Sequence, residues 1–255
     1  FGFALMLYMR WSIAYPDREL AGWARFFIEF VGGSGGDARW LNEGKVTGVL
    51  YNMFGAMHGT IMVFLGVVPL GFAAFGNYVT PLQIGAIDMA FPRLNMASYW
   101  CFFVGGVMML ASFFLPSGAA QSGWTNYSPL AGIMHASEPW TFWNGQTQWL
   151  VAMAMLITSS LLGAVNFLAT IINLRARGLT WMRLPFFVWA MMVTGFLLLL
   201  AFPPLEVAAL MQLSDRLFGS SFFMPSGLVV NGQLWNVSGG GSPLLYQHLF
   251  WFLGH

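Results

Sequence analysis

Charge is scarce in this sequence: 7% of its 255 residues are Asp, Glu, Lys or Arg, against about a quarter in soluble domains. With 58% hydrophobic residues, that balance suits a bilayer rather than water. A net charge of +1 provides neither a basic field nor an acidic tail, which excludes nucleic acid as a partner. Cysteine is nearly absent too. Cys101, the single one, sits in the apolar run 99–115, so neither a disulfide framework nor a thiolate metal cluster is available. Any metal must use histidine or oxygen ligands. The start of the sequence lacks an initiator Met, a basic n-region and a small-residue cleavage site, which excludes a signal peptide. At the other end, the apolar stretch 244–255 is shorter than the roughly 20 residues that cross a hydrocarbon core. These features predict an internal segment of a longer chain, forming one transmembrane domain over residues 1–255.

Long apolar runs are plentiful. Four of them (49–80, 95–115, 149–174 and 184–213) are long enough to span a bilayer, and partial spans at each end make six. Backbone groups find no water in the lipid core, and barrel strands would be about half as long, so these runs must be helices. The expected fold is all-α, a polytopic transmembrane helical bundle. Three connections are long (15–48, 116–148 and 214–242) and carry most of the acids. The other two are short and basic, with Arg93 in one and Arg175, Arg177 and Arg183 in the other. The positive-inside rule places the short loops in the cytoplasm. The run Gly-Gly-Ser-Gly-Gly at 32–36 lacks the Gly-Lys-Ser/Thr of a phosphate loop and reads as flexible outer loop. Asn126 and Asn236 match the glycosylation pattern, which a chain of this length also produces by chance.

His58 lies among apolar residues and glycines with no charged neighbour in sequence. Either its imidazole is neutral and bonded to a neighbouring backbone, or it is an axial haem ligand with Gly55 and Gly59 leaving room for the macrocycle. His248 and His255 stand seven apart on the last helix, about 10 Å of rise, so both cannot bind one mononuclear centre. His135 falls in an outer loop and reads as solvated. Asp88, among Ile84, Ile87, Met89 and Phe91, suits either a plain surface loop or a cytoplasmic crevice that collects protons. The amides Asn77, Asn95 and Asn166 and the hydroxyls Ser159 and Ser160 are of the kind that more often serves as helix-packing glue, and they also suit a water-lined groove. Glu206 is an acid within a span, toward its outer end.

Several motifs, in order, carry a resemblance. Met57-His58-Gly59-Thr60, Phe75-Gly76-Asn77-Tyr78, the run from Ile84 through Asp88 to Arg93, Gly123-Trp124-Thr125-Asn126-Tyr127, and the run from Tyr246 through His248 to His255 resemble subunit I of A-type haem-copper cytochrome c oxidases. The resemblance runs across nearly the whole chain, from the end of the family's first helix into its sixth, and implies part of a twelve-helix subunit. It implies His58 as an axial ligand of a low-spin haem (haem a), His255 as a ligand of copper CuB beside a high-spin haem of the a3 type, and His248 as a non-ligand. Arg10 then matches an arginine near the haem formyl group, and Trp124 a tryptophan near the propionates. Asp88, Asn77, Asn95 and Asn166 match the entrance and asparagines of a proton channel, with Ser159 and Ser160 above them. The implied activity is proton-coupled reduction of dioxygen to water. The implied partners are cytochrome c or another donor and further oxidase subunits, in a bacterial cytoplasmic or mitochondrial inner membrane. The sequence departs from the family at Ser12, where many members have an acid, at Ser242-Pro243, where relatives read Gly-Gly-Asp-Pro, and at Glu206, which has no counterpart. A quinol oxidase of the same fold and a cofactor-free transporter or channel are the competing readings.

Overall fold

The structure is a computed structural model that describes residues 1–31, 40–132, 142–224, 229–230, 233–234 and 240–255. The glycine run at 32–36, His135 and Asn236 lie outside the described residues. Helix α1 spans Gly2–Ala14 and α2 spans Gly22–Val31. A single long rod follows: α3 (Gly48–Thr60), two wider π-type stretches (Ile61–Val67 and Pro69–Phe75) and α4 (Gly76–Ile84). Then come α5 (Pro92–Ala111), α6 (Gly145–Asn173), α7 (Phe186–Leu217) and α8 (Pro243–Gly254). The only strands among the described residues are two two-residue hairpins in the long loops. Four helical rods, at Gly48–Ile84, Pro92–Phe114, Gly145–Asn173 and Phe186–Leu217, are long and apolar enough to cross a membrane. They match the four expected spans, so the chain is an all-α, multi-pass membrane protein.

Local chemistry sets the helix ends. Thr47 caps α3 by accepting from the Leu50 amide at 3.3 Å, and Asn144 caps α6 by accepting from the Gln146 amide at 3.0 Å. Gly85 ends α4 with φ 73°, a left-handed conformation that costs glycine little, and the Ala86 amide then closes on the Pro81 carbonyl at 2.9 Å. The two short loops are tied to each other, since the Ala176 amide donates to the Ile84 carbonyl at 2.9 Å.

Helix α6 is the centre of the bundle: half of its most apolar stretch is buried, against 17–28% for the other three spans. It packs between α5 and α7, while α1 lies on α3 and α8 on α7. Small residues permit the close approaches. A methyl at Gly105 would stand 3.0 Å from the Ala152 carbonyl, and one at Gly76 would lie 2.5 Å from the Met191 methyl. The connection 15–48 differs from the expectation of a plain loop. It contains α2, whose Ala24 and Ile28 are buried with Leu20 while Trp23, Phe26 and Phe30 stay exposed. An aromatic-rich run of 10 residues is too short to register as a span.

Candidate functional site

His58 sits near the end of α3, half-buried against α1, where its Nδ1 meets the Gly2 carbonyl at 2.7 Å. A carbonyl only accepts, so Nδ1 donates, and this contact leaves Nε2 for another partner. This contact supplies the backbone partner that a buried imidazole needs. It also orients the ring as a metal-ligating histidine is oriented, by a hydrogen bond from the other nitrogen. The flanking glycines also lie against protein neighbours. A methyl at Gly59 would fall 2.9 Å from the Trp124 Cβ, and one at Gly55 would fall 3.2 Å from the Met9 methyl. Their missing side chains make room for protein neighbours. Arg10 is exposed on α1, two turns beyond Gly2, with Nε donating to Met6 Sδ at 2.8 Å.

Gly59→Ala is expected to destabilise the protein by about 1–3 kcal/mol, because the new methyl meets the root of Trp124 rather than a flexible tip. Denaturant unfolding in detergent, followed by tryptophan fluorescence, checks it; wild-type stability would contradict the packing role of Gly59.

Trp124 belongs to the long loop between α5 and α6, turned by Gly123 (φ 76°) and Asn126 (φ 53°). Its ring packs on Phe64 beyond α3 and on Phe250 and Trp251 of α8. Tyr246 donates to the Thr125 carbonyl at 2.9 Å, and Trp251 Nε1 donates to the Tyr127 hydroxyl. One loop thus clamps the helix of His58 to the helix that leads to His255. His255 itself is exposed at the end of α8, on the same face as His248 and Trp251. Asn126 is fully buried and donates to Gln212 Oε1 at 2.6 Å, so its amide is closed to glycosylation.

Asp88 is exposed in the first short loop, where Oδ1 accepts from the Met89 amide at 2.7 Å. Asn166 of α6 is fully buried and grips the same loop. Its Oδ1 accepts from the Phe91 amide at 2.9 Å and its Nδ2 donates to the Phe91 carbonyl at 3.3 Å. Thr170 adds a third tie by accepting from the Ala90 amide at 2.9 Å. Asn77 donates to the Ala73 carbonyl at 2.7 Å, while its Oδ1 is buried without a partner. Asn95 is half-buried at the foot of α5. Ser159 and Ser98 exchange hydrogen bonds between α6 and α5 at 2.7 and 2.8 Å, and Ser160 donates back to the Leu156 carbonyl at 3.1 Å. The fold therefore joins Asn166 to the Asp88 loop and Ser159 to α5, while no direct hydrogen bond links Asn77, Asn95 and Asn166.

The sequence profile described as "Cytochrome C and Quinol oxidase polypeptide I" matches residues 1–255. The chain belongs to this oxidase family. It is 40% identical over 235 residues to cytochrome c oxidase subunit 1 of Synechocystis sp., covering 90% of this chain and 39% of the relative. It is 44% identical over 206 residues to cytochrome c oxidase subunit 1 of Thermostichus vulcanus, covering 81% of this chain and 34% of the relative. It is also 45% identical over 205 residues to the alternative cytochrome c oxidase subunit 1 of Bradyrhizobium diazoefficiens, covering 80% and 34%. The chain thus spans a little over a third of the length of these relatives.

In this oxidase-family chain the C-terminal end of α7 holds two residues whose roles the sequence concealed. Asp215, expected among the outer-loop acids, is buried in the last turn of α7. It accepts from Ser220 at 2.6 Å and from the Phe222 and Phe223 amides at 2.8 and 2.9 Å. Arg216 is fully buried beside it, donating to Thr147 at 3.2 Å, to Asn144 at 2.9 Å and to the Ala131 carbonyl. The pair fastens the loops before α6 and after α7 to the helix ends. An adjacent Asp-Arg at a span's end looks like an ordinary solvated boundary in sequence; only the packed loops make it interior.

Proposed function

We propose that this chain is a cofactor-holding portion of the catalytic subunit of a respiratory terminal oxidase, which reduces dioxygen to water with electrons from cytochrome c and takes its protons from the cytoplasmic side. The observation that carries the reading is the Nδ1 contact of His58 with the Gly2 carbonyl, which leaves Nε2 free on a half-buried imidazole inside a membrane helix. Such a nitrogen suits haem iron. Quinol is the alternative donor within the same family description, and the relatives' names favour cytochrome c. Family membership tells against a cofactor-free transporter.

When bound, a low-spin haem (haem a), a high-spin haem of the a3 type and copper CuB supply the electron-transfer and oxygen-reducing chemistry. In this reading His58 Nε2 holds the low-spin haem iron and His255 is one copper ligand. Arg10 and Trp124 stand at the haem's edge, by the formyl group and the propionates. The Trp124 loop ties the two helices together and keeps water from the space between them. Other oxidase subunits complete the assembly in a bacterial cytoplasmic or mitochondrial inner membrane. Asp88 collects protons beside the basic short loops. Asn166 holds the loop that carries it, and Asn77, Asn95, Ser159 and Ser160 offer polar sites that water would connect. The test is an optical spectrum with metal analysis of the intact oxidase. Haem bands with iron and copper support the reading, and a protein without a Soret band overturns it.

Asp88→Asn keeps size and hydrogen bonding but deletes the exchangeable proton. Turnover is expected to fall about tenfold with both haems intact, which needs only about 1.4 kcal/mol of added barrier. A mere surface role predicts an effect under about 0.5 kcal/mol. Oxygen consumption and proton release in sealed vesicles decide, and wild-type values for both would exclude proton entry at Asp88.

A further inference from the structure

Helix α7 carries an acid that neither the cofactor ligands nor the Asp88 stripe uses. Glu206 is half-buried in the span, with Oε1 accepting from the Thr158 hydroxyl of α6 at 3.3 Å. Its other oxygen, Oε2, is buried without a partner. No cation faces it among the described residues. The helices packed against α7 are α4, α6 and α8. Of these, α6 has no ionisable residue, α4 has only Tyr78, and α8 has only Tyr246 and His248, with His255 just beyond. Tyr78 is exposed, and Tyr246 is turned to the Thr125 carbonyl. On α7 itself Asp215 and Arg216 lie nine and ten residues farther on, about 14 Å away along the axis, with partners of their own.

Two and three residues before Glu206 the helix contains Pro204 and Pro203. Each lacks an amide donor, so the carbonyls of Leu199 and Leu200 lose their usual helical partners. In a lipid environment such groups are satisfied by hydroxyls or ordered water. Unfilled hydrogen-bonding capacity therefore gathers along about 10 Å of α7, from Leu199 to Glu206. Thr158 opens the Thr158-Ser159-Ser160 run of α6. The Ser159 hydroxyl turns toward α5 while the Thr158 hydroxyl turns toward α7, so α6 presents polar groups to both of its neighbours.

We propose that Glu206 and Thr158 form a second proton-exchange site within the membrane, separate from the Asp88 stripe. The proposal rests on the oxidase reading. Glu206 releases one proton to water beside the proline break and regains one in each cycle, and Thr158 holds the carboxyl in place by donating to Oε1. No oxidant or reductant enters this step, since only the carboxyl O–H bond breaks and re-forms.

The experiment is redox-difference infrared spectroscopy on the intact oxidase, together with proton release per electron in sealed vesicles. In wild type a carboxyl band is expected to respond to reduction. Glu206→Gln is expected to lose that band and to lower proton release while the haem spectrum stays unchanged. Thr158→Val is expected to shift the same band, because the donor to Oε1 is gone. A Glu206→Gln protein with wild-type haem bands, infrared difference spectrum and proton release overturns the exchange site and leaves the oxidase reading standing. Should that variant fail to assemble, an unmoved band in Thr158→Val overturns it equally. Absence of haem from the wild-type protein would instead sink the oxidase reading.

Discussion

Replacing His58 by alanine in the full-length oxidase is expected to abolish the low-spin haem bands while the bundle survives. The substitution removes the free Nε2 and also the Nδ1 contact with Gly2 that joins α3 to α1. That contact is worth only about 1 kcal/mol, as a neutral hydrogen bond. The helices do not depend on it, because lipid leaves the backbone no alternative to internal hydrogen bonding. Haem loss without unfolding is therefore the signature. Circular dichroism should keep its helical amplitude while the reduced spectrum loses its low-spin component. A mutant with an unchanged reduced spectrum would remove His58 from the ligand set.

His255→Asn in the same full-length protein is expected to deplete copper and abolish oxygen reduction, with the low-spin haem in place. His255 directly follows α8, and asparagine, though neutral and polar like the imidazole, lacks the ring nitrogen that suits copper. The contacts that secure α8 lie earlier in the helix, at Tyr246, Phe250 and Trp251, and remain intact. His58 stands on a different helix. Metal analysis and oxygen uptake together give the answer, and normal copper with normal turnover would end the metal role proposed for His255.

The spans were legible because a bilayer imposes one rule on every residue inside it. Runs 49–80, 95–115, 149–174 and 184–213 could be nothing but helices once their length and apolarity were seen. The motifs around His58, Asp88, Trp124 and His255 also stood out, since rare polar residues in an apolar chain are conspicuous. Less legible was what these residues touch. Gly59 reads in sequence as space beside a histidine, yet it accommodates Trp124 from a loop more than sixty residues away. Asn166 reads as one amide in a polar stripe, yet both of its hydrogen-bonding groups go to the backbone of Phe91. Helix α2 was missed because its length and mixed composition fall below what a membrane span requires.

The sequence by itself determined the fold class and drew up the short roster of residues with the chemistry for redox or proton roles. These follow from properties that each residue holds alone: apolarity, charge and the presence of an imidazole or carboxyl. The tertiary structure decided the tautomer of His58, the burial of Asp215 and Arg216, the closure of Asn126 to modification and the pairing of Glu206 with Thr158. Each of these depends on a partner distant in sequence. A hydrogen bond forms only when two groups come within about 3 Å, and helix packing, rather than spacing along the chain, sets that distance.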